Sequence, residues 1–117
     1  MNDLVSAYID TWNATSAEAR ELLAQHWAPD AAYTDPMASA VGRDAIAAMI
    51  DAVHAQFPGF AFSPVGSADS HHAQTRFQWG LGPAGEAPLI IGFDVLVTDE
   101  NGRIQTVLGF LDQVPAA

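Results

Sequence analysis

The chain has 117 residues, half of them apolar, which suits a single domain over 1–117 with one core. Fourteen acidic residues against four basic ones give a formal charge of -10, a surface that repels phosphate backbones and anionic lipid, so neither nucleic acid nor membrane is an expected partner. Cysteine is absent, which removes disulfides, thiolate nucleophiles and Cys-based zinc sites; the opening Met-Asn-Asp-Leu carries no basic stretch followed by an apolar run, and a cytoplasmic location is expected.

Over residues 2–13 the apolar positions Leu4, Val5, Tyr8, Ile9 and Trp12 recur at helical spacing and predict an amphipathic helix with Tyr8 facing inward. Thr15-Ser16-Ala17-Glu18 matches a capping box, and a second helix is expected through Leu22, Leu23, His26 and Trp27, ending before Pro29 and packing on the first as a hairpin. Ala31-Ala32-Tyr33-Thr34-Asp35-Pro36 reads as a short strand ending in a carboxylate, with Pro36 biasing Asp35 toward an extended conformation before an Ala/Ser/Gly-rich loop. Gly42-Arg43-Asp44 opens a third helix with Ile46, Met49, Ile50, Val53 and Phe57 on one face, stopped by Pro58-Gly59.

Everything beyond reads as strand, over 60–66, 71–80, 89–98 and 103–114, with Asn101-Gly102 a strong hairpin signal. Helices and strands that do not alternate predict an α+β domain, three helices covering one face of a largely antiparallel sheet. The last two strands read as apolar on both faces, Leu89, Ile91, Phe93, Val95 and Val97 alternating with Ile90, Asp94 and Leu96. The domain's own helices cover one face only, which makes a homodimer through the outer sheet face the expected cover. Arg76 and Gln78 alternate with Thr75, Phe77 and Trp79; the aromatics claim the core side and leave Arg76 facing outward, whereas the reversed register would make Arg76 a pocket cation paired with Asp94.

Asp94 stands out, because a carboxylate among Ile, Gly, Phe, Val and Leu is costly without a partner or a purpose. Blander roles exist for the other candidates: Tyr8 as a core residue with its hydroxyl at the rim, Asp35 as the cap of its loop. His71-His72 reads as the start of a strand, since adjacent strand residues point to opposite faces and share a metal ion poorly. His26, at the end of the second helix, suits the helix dipole or edges the pocket. No glycine loop, Ser-His pair or dinucleotide fingerprint is present, and no cofactor is expected.

The order of elements, the passage Trp27-Ala28-Pro29-Asp30-Ala31-Ala32-Tyr33-Thr34-Asp35-Pro36 and the closing hairpin from Gly92 to Ile104 resemble the nuclear transport factor 2-like superfamily, with its SnoaL-like polyketide cyclases and ketosteroid isomerases. The resemblance covers essentially the whole chain and implies a cone, a curved sheet wrapped by three helices with a ligand in its mouth. Within the superfamily, Tyr8 in Tyr8-Ile9-Asp10-Thr11-Trp12-Asn13-Ala14 resembles the oxyanion-hole tyrosine of ketosteroid isomerase. Asp35, in Asp-Pro, resembles its catalytic base, and Asp94 its protonated second donor. The tyrosines that support the isomerase's oxyanion tyrosine have no match, Ile50 and Trp27 standing in their places. Gly92 stands where limonene epoxide hydrolase would carry the arginine of its Asp-Arg-Asp set.

The implied activity is cofactor-free isomerisation or cyclisation by proton transfer next to a carbonyl of an apolar small molecule. Such chemistry needs a base at carbon and donors where enolate charge develops. From the first two helices and the strand after them, Trp12, His26, Trp27 and Tyr33 are expected to contact the ligand. Met49 and Val53 would do so from the third helix, and Phe77, Trp79 and Phe110 from the sheet. A non-catalytic ligand-binding or accessory domain of the same fold is the alternative.

Overall fold

The computed structural model describes residues 3–115. In chain order it contains α1 (Asp3–Asn13), α2 (Ser16–His26), β1 (Trp27–Thr34), β2 (Ser39–Val41), α3 (Arg43–Gln56), β3 (Phe60–His71), β4 (Gln74–Pro83), β5 (Ile90–Thr98) and β6 (Ile104–Gln113). The strands form one sheet in the order β2-β1-β6-β5-β4-β3, with β1 parallel to β6 and every other neighbouring pair antiparallel. This is the expected α+β cone, three helices against a mixed, largely antiparallel sheet. Position 2, included in the expected first helix, lies outside the described residues.

Several boundaries differ from the sequence expectation, each for a local reason. Thr15 caps α2 without a side-chain bond; its backbone carbonyl takes Glu18 N and Ala19 N instead. The second helix stops at His26, and Trp27 is already extended (φ -117, ψ 144). Pro29 disfavours a helical Ala28, and the Arg43 guanidinium takes up the last carbonyls, those of Trp27 and Ala24, at 2.5 to 3.2 Å. The loop after Asp35 holds the short strand β2. β3 continues past Gly66 through a register shift between Val65 and Asp69, where Gly66 adopts φ 68, so the polar stretch that resembles a turn stays in the sheet. His71 therefore ends β3 and His72, at φ 51, makes the turn; neither starts a strand.

Period-two alternation fixes the faces. Thr75, Phe77, Trp79 and Leu81 of β4 and Gly92, Asp94 and Leu96 of β5 are buried on the helix side. Arg76 lies on the outer face, where it pairs with Asp69 at 3.4 Å, both side chains well exposed. The same face carries the half-buried Phe93 and Val95 beside the exposed Leu108 and Phe110. On the inner face Leu23, Trp27, Ile46, Ile50, Leu96, Ile104 and Val107 form the fully buried centre of the core.

Two polar ties set α1 against the sheet and α3. The Asn13 amide donates to Phe62 O (2.9 Å) and accepts from Phe62 N (2.7 Å), joining the end of α1 to β3 as a strand neighbour would. His54 Nε2 stands 2.7 Å from Trp12 O. Together they hold Trp12 over the open end of the cone.

Candidate functional site

A cavity of about 250 Å³ opens between the concave sheet face and the helices. α1 contributes Tyr8 and Trp12, the end of β1 contributes Tyr33 and Asp35, α3 contributes Met49 and Val53, and the sheet contributes Phe62, Trp79, Leu81 and Leu111. Aromatic rings make much of the wall: Trp12 lies 5.6 Å from Tyr33 and 5.3 Å from Phe62, and Phe62 5.4 Å from Trp79. Asp35 is the one charged side chain among the described lining residues, and neither Arg nor His lines the cavity.

The Tyr8 hydroxyl donates a 2.6 Å hydrogen bond to Asp94 Oδ2. Its ring stacks on Trp27 at 5.5 Å and meets the edge of Phe77 at 5.4 Å, so two buried aromatics fix its orientation. Asp94 is 1% exposed and stands behind Tyr8 rather than on the cavity surface. Burial pushes its carboxyl up to about 6, against the Tyr8 hydroxyl and the Trp79 indole, which favour the charged form; the nearby Asp35 charge adds to the rise. Burial first, and then the Asp94 charge, raise the Tyr8 phenol well above its ordinary value. The Tyr8 phenol therefore keeps its proton, and the Asp94 carboxyl holds its own to a higher pH than an exposed carboxyl does.

Asp35 is held by donors on both oxygens. Oδ2 accepts from the Tyr33 hydroxyl at 2.5 Å, while Oδ1 accepts from Met37 N and Ala38 N at 2.8 Å each. The loop cap and the pocket wall are therefore the same geometry, not alternatives. Burial and the bond to Asp35 raise the Tyr33 phenol far above its ordinary value, so it remains a donor.

The two acids converge on Gly109. This glycine faces Asp94 across the β5–β6 ladder, and a Cβ there would stand 2.8 Å from Asp94 Oδ1 and 3.2 Å from Asp35 Cβ. Parallel pairing of β1 with β6 carries Asp35 to this point, because Thr34 lies opposite Leu108. Among the described residues three buried side-chain atoms lack a hydrogen-bond partner, Trp12 Nε1, Trp79 Nε1 and Asp94 Oδ1. Among the described residues no group of three His, Cys, Asp or Glu side chains is placed to hold a metal ion.

Of the residues expected in the pocket, Tyr8, Trp12, Tyr33, Asp35, Met49, Val53 and Trp79 line it, whereas Asp94, His26, Trp27, Phe77 and Phe110 do not. Trp27 and Phe77 are buried behind Tyr8 and brace its ring. His26 stays at the end of α2. Phe110 is 58% exposed on the outer face, since the β6 alternation that turns Gly109 and Leu111 inward turns Phe110 out. Phe62, Leu81, Leu111 and Gln56 are lining residues that the sequence did not reveal. For Leu81 a signal existed: it continues the Phe77, Trp79 alternation, and β4 runs on to Pro83 rather than ending at Gly80.

Solved structures share this architecture. A SnoaL-like family protein from Agrobacterium tumefaciens str. C58, provisionally named an isomerase, is 38% identical with a TM-score of 0.88 over 94% of this chain and 95% of that one. A protein from Sinorhizobium meliloti, provisionally named a polyketide cyclase, is 18% identical (TM-score 0.73, covering 96% and 95%). One from Kribbella flavida DSM 17836, provisionally named a ketosteroid isomerase, is 19% identical (TM-score 0.72, covering 98% and 79%); at these two identities the likeness is one of fold. None of the curated proteins matches the chain. Residues 5–107 match the SnoaL-like domain family, and with nearly the whole cone inside that match the chain belongs to this family.

Proposed function

We propose that the cone is a cofactor-free site for proton transfer next to the carbonyl of an apolar small molecule, of the isomerase or cyclase type. The observation that carries this reading is that Asp35 and Tyr8 line one apolar cavity, with Asp94 bonded to the Tyr8 hydroxyl behind it. Asp35 takes the proton from carbon and, once protonated, returns it to a second carbon or to the cyclised product. Tyr8 is the group that meets the carbonyl oxygen, and Asp94 acts through it. With Asp94 neutral, its acid proton bonds the Tyr8 oxygen and frees the Tyr8 hydroxyl to donate to the developing enolate; with Asp94 charged, the Tyr8 proton is committed to the carboxylate. Asp94 is therefore a positioning residue here, not the direct donor that the resemblance implied. The name of the Agrobacterium relative supports an isomerase-type reaction, and the fold likeness to the protein named as a polyketide cyclase keeps cyclisation within the same proposal.

Asp35→Asn tests the reading: turnover of an enolisable ketone lost in a folded variant is the expected result, and full activity in that variant overturns it. The second reading, a binding domain without chemistry, draws on the saturation of Asp35 by three donors that also cap its loop. Affinity for such ketones with no turnover by the native protein would select it. The ligand class is the same in both, a small apolar carbonyl compound.

A homodimer through the outer sheet face belongs to the same proposal. Phe93, Val95, Leu108 and Phe110 lie together there as an apolar patch that a second copy would cover. A cytoplasmic location belongs to the same proposal, and the acidic surface suits partners other than nucleic acid or anionic membrane. No helix among the described residues is long and apolar enough to cross a membrane.

A further inference from the structure

Asp94 offers two oxygens in the core, and only Oδ2 has a donor. An equally unserved donor is the Trp79 indole Nε1–H, in a side chain 9% exposed. The two belong to neighbouring strands. Trp79 pairs with Gly92, and Asp94 is the next residue on the same face of β5, the diagonal position that a large aromatic side chain reaches. The indole lies directly over Gly92, since a Cβ there would sit 2.1 Å from Cε2 and 2.0 Å from Cζ2. Cη2 follows at 2.7 Å, so the benzo edge of the ring lies over Gly92, and Nε1, bonded to Cε2, is the next ring atom. The indole N–H and Oδ1 do not meet hydrogen-bond geometry here, yet Trp79 favours the charged carboxyl, second to Tyr8 among the groups that do so.

We propose that Trp79 is a positioning residue for the Tyr8–Asp94 pair, its indole N–H supplying Asp94 Oδ1 with the donor that Tyr8 supplies to Oδ2, and that Gly92 is the position that admits it. With a donor on each oxygen the carboxyl plane is fixed, and with it the direction in which the Tyr8 hydroxyl points. Without Trp79, Oδ1 is bare against an apolar wall and the ionised form is disfavoured. The other polar groups acting on Asp94 are Tyr8 from α1 and Asp35 beyond the end of β1; no cation is among them, and Arg76 lies on the opposite face. Gly92 thus does more than leave room: alanine there would lift the indole off the strand.

The inference adds a residue to the site proposed above, but its test reads no turnover, so either can fail while the other stands. Carboxyl ¹³C NMR of Asp94 in Trp79→Phe, which keeps an aromatic ring and removes the N–H, is expected to show the titration midpoint moved up from about 6 by about one unit, a tenfold gain in proton affinity. Gly92→Ala is expected to move it the same way. In the native protein the Trp79 indole ¹H–¹⁵N signal is expected to titrate with the Asp94 midpoint. An unchanged midpoint in folded Trp79→Phe overturns the proposal, as does an indole signal that passes through the Asp94 titration unmoved. Should neither variant fold, the native indole signal decides alone.

Discussion

Asp94 faces Gly109 across the β5–β6 ladder, and the missing side chain of that glycine is the space in which the Asp94 carboxyl and the Asp35 side chain approach one another. An alanine methyl would sit 2.8 Å from Asp94 Oδ1, closer than packed atoms tolerate, with Asp35 Cβ at 3.2 Å on its other side. Gly109→Ala is therefore expected to cost about 1–3 kcal/mol of stability by overpacking and to lower turnover by moving both acids. Urea denaturation and activity of the same preparation check both effects.

Asp94 also sets a pH dependence of stability. Its folded value, about 6, lies above the ordinary 3.8, so the native state binds the extra proton between these limits. The stabilising contribution is full below the lower value and lost as pH rises through the upper one, on the order of 2–3 kcal/mol in all. Asn at this position still accepts from Tyr8 and carries no charge. The stability difference between Asp94→Asn and the native protein is expected to shift in favour of the variant from pH 4 to pH 7, which urea midpoints across that range measure. A difference that stays flat contradicts the assignment.

Removing the Tyr8 hydroxyl strips Asp94 of the donor on Oδ2 while leaving the ring between Trp27 and Phe77. Tyr8→Phe is expected to destabilise the fold at neutral pH by about 1–3 kcal/mol, the cost of an unserved buried acceptor, and by less below pH 5, where Asp94 is protonated. Thermal melts at the two pH values give the comparison.

At Asp35 the loop and the chemistry separate by choice of substitution. Asparagine keeps an Oδ1 acceptor for Met37 N and Ala38 N, so Asp35→Asn is expected to fold within about 1 kcal/mol of the native protein. Its turnover is expected to fall by about 10²–10⁴, the range a general base supplies. Asp35→Ala loses the loop bonds as well and is expected to be the less stable of the two by calorimetry.

Phe110 tests the assembly at small structural cost, because it is 58% exposed in the single chain. Phe110→Lys is expected to sediment as a monomer with an unshifted melting temperature at low concentration, where the native chain sediments as a dimer. A native chain that is monomeric at high micromolar concentration removes the proposed interface.

The three helices, the order of the five longer strands and the inward face of Tyr8 were legible in the chain, whereas β2 was not, and the side taken by Arg76 was open between two registers. Helical spacing and period-two alternation are local rules, and a buried apolar face enforces them residue by residue. What those side chains meet depends on the fold as a whole. Tyr8 and Asp94 are 86 residues apart, and their bond exists because α1 crosses the concave face at one particular height. Asp35 reaches Gly109 through the parallel β1–β6 pairing, and Trp79 lies on Gly92 through the β4–β5 register. Such juxtapositions depend on strand register, bulges and the packing of the whole sheet. Phe110 shows the same limit from the other side: its apolarity is legible in the chain, but the face it takes follows from the register that turns Gly109 inward.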